Sequence, residues 1–234
     1  MLPVSQIRRL AVVGSLTALA ACSPDSITGP GPRSLLLVAP AHHPVLFIHG
    51  WNSSGAVWTT TISRFVADGY TPAELATWSY NANQSNAITA QQISVKVDSI
   101  LNATGAFKVD IVTHSMGSLS ARYYLKSLGG SFKVDALVTL GGPDHGTNTA
   151  WFCSGTACAE MRPGSSFIKS LNSVDETPGG TRYATWRSPC DEVINPLSSP
   201  ILSGGATNNQ TACMRHSDLH ESVAVYNAYK GWLQ

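Results

Sequence analysis

Four short apolar runs, three of them followed by helical periodicity, most narrow what this chain can fold into. Residues 45–48, 75–80, 109–113 and 134–140 read as strands, bounded by Gly, Pro or polar residues. Between them, Trp58, Ile62, Phe65 and Val66 recur at helical spacing behind a cap at Ser53 or Ser54, and Gly69 suits the stop. Ile93, Val97, Ile100 and Leu101 form a second such face ending at Gly105, and 119–128 continues as a third helix up to Gly129-Gly130. Strand and helix in regular alternation require right-handed crossovers. The predicted class is α/β, a mostly parallel central sheet with helices on both faces. From 141 to 180 the pattern gives way to an irregular segment with one short helix near 167–171. A strand near 182–187, a short strand near 211–214 and a helix over 222–233 complete the expectation.

The chain has 234 residues, enough for one such domain and tight for two. Only 12% of residues are charged, with 15 Lys+Arg against 14 Asp+Glu. A typical domain carries about 25%. That balance excludes a solvated disordered protein and a coiled coil, and argues against nucleic acid as a partner, because phosphate binding needs clustered cations. Residues 1–21 predict an export signal: Arg8 and Arg9, then an apolar stretch too short to span a bilayer, ending Leu19-Ala20-Ala21-Cys22. That ending resembles the bacterial lipobox, in which the Cys is acylated, and two acyl chains would anchor the protein to a membrane. The competing expectation is a plain signal peptide with Cys22 incidental. Residues 22–40, rich in Pro and Gly, predict a flexible linker, leaving 41–234 as the folded domain.

Setting Cys22 aside leaves Cys153, Cys158, Cys190 and Cys213. In an exported protein, four cysteines imply two disulfides, and three connectivities exist. The preferred one joins Cys153 to Cys158 and Cys190 to Cys213. A zinc site is disfavoured because no C-x-x-C spacing occurs.

The chemistry centres on Val109-Asp110-Ile111-Val112-Thr113-His114-Ser115-Met116-Gly117: a strand, a Ser beside small residues, then a helix. This is the context of a nucleophile elbow, whose tight turn exposes the hydroxyl at the sheet's edge. Gly117 meets the need for a small residue two positions on, whereas Thr113 stands where the general pattern has Gly. A Ser that merely caps a helix is the bland alternative. A Ser hydroxyl needs a base, and the base an orienting acid. In chain order the acid and then the His follow the Ser. His216 follows the last short strand and is the preferred base, ahead of His220; His145 is expected to shape a loop. Asp191 follows the strand near 182–187 and is the preferred acid, ahead of Glu192. Asp175 and Glu176 lie in a loop with no preceding strand. The Cys190–Cys213 bond would tie the acid loop to the His loop, closing about 24 residues for about 3 kcal/mol. Backbone N–H groups of Met116 and of Trp51, in the turn after the first strand, are the expected donors to a developing oxyanion.

Taken together these stretches, with Pro44 to Trp51 and Leu140 to Thr147, resemble the bacterial class 2 lipases, small α/β-hydrolases, and more closely the secreted actinobacterial triacylglycerol lipases. The resemblance spans about 42 to 234. It implies a minimal α/β-hydrolase fold and ester hydrolysis by Ser115, His216 and Asp191, with Trp51 and Met116 at the oxyanion hole. The family often carries a small residue at the Thr113 position. A carboxylesterase or polyester hydrolase would use the same residues with a different cleft; a non-catalytic binding protein is the distant alternative. No metal or organic cofactor is called for, the partner is an ester or lipid substrate, and a monomer is expected. No calcium loop of known pattern occurs. Asn52, Asn83, Asn102 and Asn209 begin glycosylation-like triplets, which a bacterial-type export signal makes irrelevant. With only 141–180 available as cover, stiffened by Cys153–Cys158, a small fixed rim around an exposed Ser is expected, hence weak activation at oil surfaces.

Overall fold

The computed structural model describes residues 41–234; the expected export signal, Cys22 and the linker lie outside the described residues. Six strands form one sheet: β1 (Val45–Ile48), β2 (Leu75–Thr77), β3 (Val109–His114), β4 (Val134–Leu140), β5 (Arg182–Arg187) and β6 (Thr207–Gln210). Their order is β2-β1-β3-β4-β5-β6, and every neighbouring pair is parallel. Seven α-helices are described: α1 (Thr59–Ala67), α2 (Asn86–Thr104), α3 (Gly117–Ser127), α4 (Thr156–Met161), α5 (Ser166–Asn172), α6 (Asp218–Glu221) and α7 (Val223–Tyr229).

Both faces of the sheet are covered, which is why its central strands read as unbroken apolar runs rather than alternating ones. Successive side chains point to opposite faces. Phe47, Val112 and Val138 pack with Trp58, Phe65 and Tyr229 on one side. Leu46, Ile48, Ile111 and Leu137 pack with Ile93, Val97 and Tyr124 on the other. The strands' C-terminal ends therefore converge along one edge, where open α/β sheets bind ligands.

Several local expectations are corrected. The first helix is preceded by a tighter turn over Gly55–Trp58; Ser54 has the extended backbone of a cap but makes no side-chain capping bond. Val66, counted with the apolar face, is 45% exposed. The second strand stops at Thr77 because Tyr80 turns to the β1 end: its backbone N–H donates to His49 Nε2 and its hydroxyl to the His49 carbonyl. The strand expected at 211–214 is a loop, and the strand lies at Thr207–Gln210. That edge strand is mostly exposed and has no apolar residue to announce it. Its Asn208 accepts from the Thr185 hydroxyl, and Asn209 donates to the Thr185 carbonyl. The closing helix is broken at Ser222, whose hydroxyl caps α7. Within 141–180, α4 was not anticipated; α5 matches the expected short helix.

Both preferred disulfides form, Cys153–Cys158 and Cys190–Cys213. Before β1, His43 Nδ1 sits 3.8 Å from Asp110 and 3.9 Å from Asp135. Arg182 already pairs with Asp135 at 2.6 Å, and Asp110 accepts the backbone N–H groups of Ala136 and Gln234. This cluster joins the entry of the domain to its last residues as an ion-pair clamp. Among the described residues, no helix is long and apolar enough to cross a membrane.

Candidate active site

At the C-terminal end of β3 the chain turns through Ser115 with φ of 55°, a left-handed conformation that a non-glycine residue rarely holds. The turn is pinned from outside: the Ser115 N–H donates to the Leu140 carbonyl at 2.9 Å. It is also pinned by close backbone approach. A Cβ on Gly117 would stand 2.7 Å from the His49 carbonyl oxygen and 2.8 Å from that of Ile48. A Cβ on Gly50 would stand 2.8 Å from Ser115 Cβ. The start of α3 therefore lies against the end of β1 with no room for a side chain at either glycine. Thr113 is accommodated, fully buried in the ladder between β1 and β4. The expectation of an exposed Ser is corrected: Ser115 is only 8% exposed. It lies recessed because the Gly50 turn on one side and the 147–161 segment on the other rise above it as cleft walls.

The candidate acid and base meet on two loops. His216 Nδ1 lies 2.8 Å from Asp191 Oδ2, both buried. A carboxylate only accepts, so Nδ1 carries the proton and Nε2 is left as the basic nitrogen. Asp191 is itself fixed, its Oδ1 accepting the N–H groups of Val193 and Ile194 at 2.9 Å each. Glu192, the alternative acid, accepts the backbone N–H of His216 at 2.9 Å instead of reaching its ring. Ser188 bridges the loops, donating its hydroxyl to the Met214 carbonyl and accepting the Met214 N–H. The Cys190–Cys213 bond lies beside these contacts.

Ser115 and His216 line the same cleft, of about 590 Å³, within the size range of small-molecule sites. Among the described residues, the Ser115 hydroxyl makes no hydrogen bond to the His216 ring. In unliganded enzymes such contacts are often long and tighten with substrate. The other candidates make other contacts. His145 bonds the Ser199 carbonyl and Glu176, shaping a loop as expected. Asp175 accepts the Thr177 N–H in that same outer segment. His220 lines the cleft but has no carboxylate on its ring; it packs against His114 at 4.5 Å and edge-on to Trp58. His216 and His220 are four residues apart, a spacing a zinc pair can use, but among the described residues no third metal-ligating side chain groups with them.

Three further imidazoles lie around Ser115. Burial pushes His49 below its ordinary pKa, and the ring is held on both sides: Nδ1–H donates to the Gly50 carbonyl while Nε2 accepts from Tyr80. Burial, with His216 and then His220 beside it, holds His114 well below the ordinary range. His220 is lowered by burial too. The site therefore keeps its surroundings neutral. His114 stood in the motif only as the residue before the Ser; no periodicity or spacing marks it, and its partner lies 102 positions away.

The cleft walls are apolar: Val57, Ala150, Met161, Val193 and Ile194, with Trp51 and Phe152 at the rim. Phe152 is 91% exposed and its neighbour Trp151 59%, with the Arg162 guanidinium 4.6 Å over the Trp151 ring. Among the described residues, neither the Trp51 nor the Met116 backbone N–H donates to another backbone group. The Trp51 indole is anchored to Asn83 at 3.0 Å.

A family model described as lipase (class 2) matches residues 42–231. Among solved structures, the mature form of the Bacillus licheniformis lipase BlEst2 aligns with a TM-score of 0.73 and 20% identity, over 82% of this chain and 92% of that one. Aspergillus fumigatus lipase B aligns with a TM-score of 0.67 and 17% identity, over 83% of this chain and 54% of that one. The product of gene lin2722 from Listeria innocua aligns at 0.59 and 13% identity, over 80% and 92%. At these identities the structural likeness carries the α/β-hydrolase fold, and the family match carries the type of activity. The chain belongs to the class 2 lipase family, carboxylic ester hydrolases built on an α/β-hydrolase fold.

Proposed function

We propose that this protein hydrolyses carboxylic esters of lipids, as a triacylglycerol lipase, through Ser115, His216 and Asp191. The observation that carries the reading is the His216–Asp191 hydrogen bond on the wall of the cleft whose floor holds Ser115 in its left-handed turn. His216 Nε2 takes the Ser115 proton as Oγ attacks the ester carbonyl carbon. The carbonyl oxygen becomes an oxyanion, facing the N–H groups of Trp51 and Met116, the latter at the start of α3. Collapse breaks the ester C–O bond, and His216 returns the proton to the departing alcohol. Water then repeats the sequence on the acyl-enzyme, releasing the acid. Asp191 holds the tautomer and faces the imidazolium.

The apolar walls support an acyl chain over a polar substituent. A short-chain carboxylesterase or polyester hydrolase would run the same steps. Rates on p-nitrophenyl esters of increasing chain length, with a triacylglycerol emulsion beside them, separate the readings. Rates rising with chain length and emulsion turnover support the lipase. Rates confined to the shortest esters contradict it. Ser115→Ala should abolish all of these, and retained hydrolysis would remove Ser115 from the mechanism. Because the segment beside Ser115 is crosslinked by Cys153–Cys158, we further propose weak activation at oil surfaces, which a sharp jump above the substrate's solubility limit would contradict. The two disulfides support export, since such bonds persist in oxidising compartments. Acylation at Cys22 is proposed on sequence alone; membrane association unchanged in Cys22→Ala would refute it.

A further inference from the structure

We propose that His114 is a positioning residue for His216: its Nε2–H donates to the His216 backbone carbonyl and fixes where the base stands relative to Ser115. The inference rests on the ester-hydrolase reading and deepens it. The contact is 3.0 Å long and buried. A carbonyl only accepts, so the proton on His114 must sit on Nε2. His114 is the residue immediately before Ser115, and both are delivered by β3. The anchor of the base is thus built into the same backbone turn as the nucleophile.

The other holds on the His216 segment come from loops and from the start of α6, where the Leu219 N–H also reaches the His216 carbonyl at 3.4 Å. Asp191 takes the ring, the half-exposed Glu192 takes the N–H, and Ser188 takes Met214 one residue beyond Arg215. Among the described residues, the His114 side chain, at the end of β3 beside Ser115, is what bonds that segment to the turn holding Ser115. Packing reinforces it: the His114 ring stands 4.6 Å from the His216 ring on one side and 4.5 Å from His220 on the other. The groups facing it are His49, His216 and His220, all imidazoles, and burial among them keeps His114 uncharged. Neutrality suits the task. When His216 takes the Ser115 proton it becomes a cation, and a charged ring at this spacing would oppose that step.

The test compares His114→Gln, which keeps a side-chain N–H donor, with His114→Met, of similar bulk and without one. On a p-nitrophenyl ester, His114→Met should lower kcat by about tenfold to a hundredfold, as misplacement of a catalytic group does. KM should change far less than kcat, since the lost contact holds the base rather than the ester. His114→Gln should recover most of the loss. Equal kcat in the two variants would overturn the proposal. Nitrogen NMR of the wild-type protein tests the same claim without relying on a variant's folding. At about pH 8, where an ordinary imidazole is neutral, the His114 ring should carry its proton on Nε2. A proton on Nδ1 instead would overturn it. Ser115→Ala run alongside separates the two levels. If it retains hydrolysis, the catalytic reading beneath falls. If it is inactive while His114→Met matches wild type, only the positioning role falls.

Discussion

On the Ser115 side of the cleft, backbone holds backbone, whereas on the Asp191–His216 side, side chains hold loops. Ser115 is fixed by a strand end, a hydrogen bond to the Leu140 carbonyl, and two glycines pressed against neighbouring main chain. His216 and Asp191 lie beyond β6 and β5, steadied by Ser188, Glu192 and the Cys190–Cys213 bond. The difference teaches where each kind of damage should appear. Filling space should hurt the first region, and removing a bond or a charge should hurt the second.

The largest expected effect lies on the acid–base side. Asp191→Asn keeps the shape but not the charge, and should lower kcat on the order of ten-thousandfold with a folded protein. A loss under about tenfold would mean Glu192 or another group orients the base. Next is the nucleophile side. Gly117→Ala places a Cβ against two carbonyl oxygens, and should cost roughly 1–3 kcal/mol of stability along with most of the activity. If chemical denaturation shows it as stable as wild type, the close approach is not a constraint. Third, Cys190→Ser with Cys213→Ser should cost about 2–4 kcal/mol and reduce kcat more than replacing Cys153 and Cys158 does. The reverse order would show that the rim, not the acid–base bridge, governs activity.

The smallest effect is on stability against pH. His49, His114 and His220 have folded pKa values below the ordinary one through burial. Below about pH 6.5 the unfolded chain binds protons that the folded rings refuse, so stability falls as pH falls, by at most about 1.4 kcal/mol per unit for each group. His43 runs the other way. Asp110 holds it above the ordinary value, so its contribution is present below about pH 6.5 and lost as pH rises past its folded pKa. Melting temperatures from about pH 8 to about pH 5 should decline, and decline less in His114→Gln. A rising curve would contradict the neutral imidazole cluster.

The same contrast explains what the residues alone revealed. Strands buried on both faces announce themselves by local apolar runs, so β1, β3, β4 and β5 were legible, and with them the turn at Ser115. Chain order then pointed to Asp191 and His216. What stayed hidden depends on distant partners. Thr207–Gln210 carries no apolar signal and exists as a strand because β5 offers it a ladder. The recess of Ser115 comes from walls supplied by the 147–161 segment, far along the chain. Glu192 and His114 act on the backbone of His216, and side-chain-to-backbone bonds across such separations leave no pattern to read.

The central claim is that a single hydroxyl, Ser115, is made reactive by the Asp191–His216 pair. Mass-spectrometric mapping of a fluorophosphonate adduct measures this most directly, because the reagent traps only an activated Ser. The account predicts one adduct, on the peptide containing Ser115, formed in step with loss of ester hydrolysis and not formed in His216→Ala. An adduct on another residue, or full inhibition with Ser115 unmodified, would contradict it.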